Sequence, residues 1–248
     1  FIGIFLIHHA DFRMIFVLTS LLAAASFALS FAVNKPVYEK PAPESAAADG
    51  RFRLSDFLEF KAIPISLIIL IISFSYSGLL TFISLYAKEI HLERAASFYF
   101  LVYSIAVLVT RPLSGRLMDI KGANFVVYPC LLLYAAGMLI FSQATAGIML
   151  LTAAVLLAMG YGSFTSSAQA ISIRGVPSHR MGLAISTFFI FVDLGFGIGP
   201  YLLGALVGVT GYRGLYVIMT FVILASIPLY YVLLGRKENR PHTHGPEG

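Results

Sequence analysis

Apolar residues fall into seven runs, roughly 14–33, 62–86, 95–113, 124–142, 147–170, 183–207 and 215–234. Each is near the ~20 residues that carry a helix across a bilayer. Polar and charged residues collect between the runs, and every connection is short except 34–61. That segment is rich in Pro, Ala and charge, a composition that cannot bury apolar surface, so it predicts a disordered linker. Within it, 54–61 places its apolar residues on one helical face, which predicts a short surface helix before Pro64 opens the next span. The chain starts with seven apolar residues, a rise of about 10 Å as a helix against a hydrocarbon core of about 30 Å. They read as the last turns of a spanning helix that begins upstream.

Composition agrees with this pattern. Hydrophobic residues are 58% of the chain and charged residues 12%, against about 25% charged in a soluble domain. The mean hydropathy is +0.87. The single cysteine, Cys130, lies inside an apolar run and reads as a buried thiol. None of the six histidines falls within a complete span, and neither phosphate loops nor zinc spacings occur. No cofactor, metal site, nucleic-acid partner or enzymatic activity is expected.

Charge orients the spans. Of the 17 Lys and Arg residues, only Arg13, Lys88, Arg94 and Arg213 fall on the face opposite the linker, leaving thirteen on the linker side. The positive-inside rule then puts the linker and the C-terminus in the cytoplasm, with the chain in the cytoplasmic membrane. The fold class is all-α, a polytopic membrane helical bundle. Residues 1–33 are expected to close one bundle, 34–61 to form a cytoplasmic linker, 62–234 a six-helix bundle, and 235–248 a tail. The six later spans divide as three plus three. Pro112, Gly115 and Gly122 after the second are matched by Pro200, Gly204 and Gly211 ending the fifth, as an inverted repeat would give.

Several residues stand out chemically. Asp193 is the only acid within a span. A carboxylate in hydrocarbon costs several kcal/mol unless paired, hydrated or protonated, so it reads either as a proton-coupling or substrate residue or as a polar clamp. Gly195, Gly199, Pro200 and Gly204 follow it, a small-residue face suited to close packing or to a hinge. Polar stripes at three-to-four-residue steps, including Ser77, Tyr103, Tyr161, Thr165 and Gln169, with Tyr76 beside them, are candidates to line a hydrated cavity. Interhelical hydrogen bonding is the other reading of these stripes. The segment 111–122 predicts a tight basic turn at the membrane surface, holding Arg111, Gly115, Arg116, Asp119, Lys121 and Gly122.

The turn resembles the cytoplasmic signature of the major facilitator superfamily, Gly-x-x-x-Asp-(Arg/Lys)-x-Gly-(Arg/Lys)-(Arg/Lys). Gly115, Asp119 and Gly122 match, whereas Ile120 and Ala123-Asn124 replace basic positions. The resemblance covers the whole chain, from the end of a fifth span through a twelfth. It implies two six-helix halves, the first mostly outside this sequence, that rock about a central site. It also implies that Asp119 engages a helix end of the other half and stabilises one access state. The glycines around Pro200 are similar to the family's antiporter motif. The drug:proton antiporter or sugar-efflux type is therefore the expected branch, a secondary transporter moving a small molecule outward in exchange for protons. A membrane-embedded enzyme or a seven-span receptor is the alternative. The enzyme lacks converging acids and histidines, and a retinal protein would need a mid-span lysine.

Overall fold

The computed structural model describes residues 12–32 and 57–236. The expected partial span at 1–7, most of the linker and the tail beyond 236 lie outside the described residues. The chain divides into two units, one on either side of position 51. The described part of the first is one helix, α1 (Phe12–Ala32), continuous and apolar as its sequence dictates.

The second unit is a helical bundle. Its helices are α2 (Ile63–Glu89), α3 (Glu93–Lys121), α4 (Ala123–Ser142), α5 (Gly147–Ile173) and α6 (Met181–Tyr230), the last followed by a single wide turn, Tyr231–Gly235. All five are long and apolar enough to cross a membrane. Pro64 sits in the first turn of α2, where its missing N–H costs nothing. The expected surface helix is not seen in its described part. Residues 57–61 form turns, closed by the Ala62 N–H donating to the Glu59 carbonyl at 3.0 Å.

The apolar stretch Ser178–Gly235 holds 58 residues. As one straight helix it would run about 87 Å, nearly three hydrocarbon thicknesses. Gly211, at φ 68° and ψ 175°, breaks it into two arms. On the first arm Gly195 lies against Leu70 and Phe74, Gly199 against Ser77, and Leu203 against Gly78, so it runs parallel to α2. The second arm returns from Tyr216 beside Tyr86 to Tyr230 and Gly235 beside Asn124 at the start of α4. Six passes result from five helices.

The core centres on α2. Ile65, Ile68, Ile69 and Ile72 are at most 1% exposed and pack in one cluster with Leu157, Phe164, Phe188 and Met219. Over its most apolar stretch 61% of α2 is buried, against 11% of α3. Helix α3 therefore lies at the bundle's edge with one face uncovered. At the far end from the linker the Tyr86 hydroxyl donates to the carbonyls of Phe141 and Ser142 at 3.2 and 2.9 Å, and Arg213 donates to the Ala144 carbonyl at 3.2 Å.

One expected boundary moves. The basic segment 111–121 is not a loop but the last three turns of α3, and the reversal is confined to Gly122 at φ 85° and ψ 166°. Pro112 removes one backbone hydrogen bond, a loss that membrane helices accommodate without ending. Gly122 and Gly211 adopt nearly the same backbone conformation, each seven residues after Gly115 and Gly204.

Candidate functional site

Midway along α5 the backbone widens into a π turn, Ala158–Gly162. Two glycines permit it to pack. A side chain at Gly160 would come within 2.5 Å of the Tyr134 backbone nitrogen, and one at Gly162 within 2.8 Å of Val107. Turns of this kind recur at functional positions because the extra residue re-aims its neighbours. Here Tyr161 lies face to face with Tyr76 of α2, ring centroids 3.9 Å apart and planes 10° from parallel. Phenol rings prefer an offset or edge-on approach at greater separation, so the helices impose this arrangement. Tyr103 of α3 lies 6.0 Å from Tyr76, and Phe196 of α6 meets Tyr76 edge-on at 6.3 Å. Four helices thus converge on Tyr76.

Beside this stack an open groove of about 630 Å³ is lined by Tyr103, Ser104, Val107, Leu108, Arg111, Pro112 and Ser166. The Arg111 Nε donates to the Ser166 hydroxyl at 2.6 Å, linking α3 to α5. Ten residues of helix, about 15 Å, separate Arg111 from Lys121. A guanidinium inside the apolar part of a membrane helix costs about 2.5–3.5 kcal/mol on insertion scales and marks a pathway or a buried partner.

The structure distributes the remaining candidates. Tyr76, Tyr103 and Tyr161 come together, with Tyr76 and Tyr161 only 5% and 8% exposed. Ser77 does not line the groove. It is buried beneath Gly199, where any added Cβ would collide with its hydroxyl, and that hydroxyl is bonded to the Phe74 carbonyl at 2.7 Å. Thr165 donates to the Tyr161 carbonyl at 2.8 Å and so spends its proton on its own helix. Gln169 is half-buried one turn further on.

Asp193 faces outward from the first arm of α6, and among the described residues nothing bonds to it. It is separate from the contact that Gly195 and Gly199 make with α2. Pro200 is half-buried within the arm, and a Cβ at Gly204 would lie 3.7 Å from the Phe82 ring. At the end of α3, Gly115 and Asp119 are one turn apart, a side chain at Gly115 would meet open space, and Asp119 and Arg116 are exposed. Lys121 stacks over Phe125 at 4.4 Å. Sequence reasoning missed the π turn and the roles of Gly160 and Gly162. The two glycines flanking Tyr161 in an apolar run were the available signal.

A bundle of helices long and apolar enough to cross a membrane defines a multi-pass membrane protein. The family model of the Major Facilitator Superfamily matches residues 1–193 and again 93–248, and the chain belongs to that family. It is 22% identical over 141 residues to an uncharacterized MFS-type transporter of Methanocaldococcus jannaschii, covering 56% of this chain and 36% of that protein. It is 25% identical over 175 residues to the uncharacterized MFS-type transporter YhhS of Escherichia coli K12, covering 71% of this chain and 42% of the relative. The chain thus spans less than half the length of the curated relatives it matches.

Proposed function

We propose that the chain is the later part of a secondary active transporter that moves a small molecule by alternating access, exporting it in exchange for protons. In this reading 62–234 is the second six-helix bundle, joined by a cytoplasmic linker at 34–61 to a first half that ends with 1–33. The C-terminus is cytoplasmic in the cell membrane. Family membership supports transport, and the observation that carries the site is the Tyr76–Tyr161 stack joined through Tyr103 to the Arg111 groove. Alternating access places a substrate near the midplane where broken or bulged helices expose polar groups, and α5 carries such a break at the site.

Asp193 is the proposed coupling or substrate residue, with Asp119 the gate at the linker end of α3. The drug:proton antiporter or sugar-efflux branch remains the proposed type, supported by the glycines around Pro200.

The test uses the full-length protein with Cys130→Ser and Ser104→Cys. Membrane-impermeant thiol reagents applied from either side should label Cys at 104, and a bound substrate should shift the ratio of the two. Labelling from one side only, under every condition, would sink the reading.

A further inference from the structure

We propose that the α3–α5 groove recognises the acidic group of an organic anion, with Arg111 as the residue that selects for negative charge. This rests on the transporter reading of the same site and adds the class of its substrate.

Among the described residues, Arg111 makes no ion pair, and its side chain donates to one neutral hydroxyl, that of Ser166. A guanidinium offers five N–H donors in a planar fork that fits a carboxylate or phosphonate with two parallel bonds. Fixing Nε on Ser166 orients that fork and leaves its outer edge for a ligand. Arg111 is the one charged residue among those that line the groove. The other walls divide by chemistry. Tyr103 supplies a hydroxyl, the Ser104 hydroxyl donates to the Phe100 carbonyl of its own helix at 2.7 Å, and Val107, Leu108 and Pro112 offer an apolar surface. An anion with a compact apolar or aromatic body matches both walls. Tyr103 lines the same groove as Arg111, and its ring leads on to Tyr76 and Tyr161. The acidic group at Arg111 would thus direct the ligand's body towards the stack.

Charge balance gives a second reason. Among the described residues, the exposed charges more than two turns from a helix end or from the Gly211 corner are Arg111 and Asp193, on α3 and α6. Lining residues from the α6 arm are absent from the groove, so Asp193 does not neutralise Arg111 there. A soluble acid would.

The experiment titrates the full-length protein, in phosphatidylcholine nanodiscs, with phenylacetate, phenylphosphonate, the uncharged phenylacetamide and the cationic phenethylamine. The two acids should bind, Arg111→Gln should weaken them at least tenfold, and Arg111→Lys should retain part of the binding. The amide and the amine should not compete. Melting curves of each variant separate lost binding from lost folding. Binding of the amide as tight as the acid, indifference to Arg111→Gln in a folded protein, or no binding of either acid overturns the proposal. So does a loss of acid binding that phosphatidylglycerol discs reproduce by competition, which assigns Arg111 to lipid headgroups. The Tyr161→Ala variant distinguishes the two levels. If it weakens acid and amide alike while Arg111→Gln does nothing, the site stands and the charge selection fails. If neither variant alters any ligand, the site itself is misplaced.

Discussion

The Glu59 carboxylate lies 2.5 Å from Nε of Arg180, joining residues 121 apart in sequence. Around this pair the approach to α2 is fastened to the corner between α5 and α6. The Glu59 N–H donates to the Thr187 hydroxyl at 2.9 Å, and Lys61 Nζ donates to the Gly175 carbonyl at 2.9 Å. Ala62, Val176 and Ala184 form a small apolar cluster beneath. The bond to Arg180 holds the Glu59 pKa below the usual 4.5, against the opposing effect of burial.

A carboxylate whose folded pKa is depressed stabilises the fold above its unfolded pKa, and the contribution disappears as pH falls through the folded value. Glu59→Gln should therefore cost about 1 kcal/mol at pH 7, the pair being partly screened. The gap between variant and parent should begin to narrow near pH 4.5 and close at lower pH. Thermal melting across pH 3–8 checks it, and a gap that does not change with pH assigns the effect to something other than this ion pair.

Gly122 and Gly211 reverse the chain in a region of backbone space that side chains avoid, with φ 85° and 68° and ψ near 170°. Alanine at either should cost about 1–3 kcal/mol. Gly208→Ala is the control, since it lies within the helical arm and an added methyl meets nothing within 4 Å. Denaturation in detergent should rank both corner variants well below the control. Equal stabilities would remove the backbone explanation.

Two glycines two residues apart test the α2–α6 contact. A methyl at Gly199 collides with Ser77, whereas one at Gly197 enters open space. Gly199→Ala should destabilise by about 1–3 kcal/mol through overpacking. Gly197→Ala should be near neutral, and Ser77→Gly should recover part of the Gly199→Ala loss, because it clears the side chain that the new methyl meets. Melting of the single and double variants measures that coupling.

The spans were legible because lipid demands long apolar runs with every backbone group bonded internally, and runs of that length admit little else. Even the corner within 181–230 was visible as a polar gap between 207 and 215. The end of α3 was misread for a physical reason: charge and glycine signal a loop in water, yet a helix that outruns the hydrocarbon carries its charges on its own last turns. Arg116, Asp119 and Lys121 do so. The stripe containing Ser77 was ambiguous because three-to-four spacing marks a helix face without saying what covers it. Gly199, on another helix, decided that. The Tyr76–Tyr161 stack was beyond reach, since it depends on one extra residue per turn in α5, which leaves no periodic trace over five positions.

Asp193 supplies the last prediction. It stands on the outward face of the first α6 arm, between half-buried Phe196 and Pro200 on one side and exposed Ile190 and Gly197 on the other. Lipid around an ionised carboxylate there would cost several kcal/mol, so its neighbour in the whole protein must be water, a proton or a polar group. If the residue couples transport to protons, Asp193→Asn in the full-length protein should abolish the response of uptake or efflux to an imposed pH gradient, at least tenfold. Exchange of labelled for unlabelled substrate, which needs no net proton movement, should continue. A clamp gives the opposite split: the Asn variant keeps the hydrogen bond, the pH response survives, and only Asp193→Ala lowers the melting temperature. Proteoliposome transport with and without a gradient, measured on both variants, separates the two.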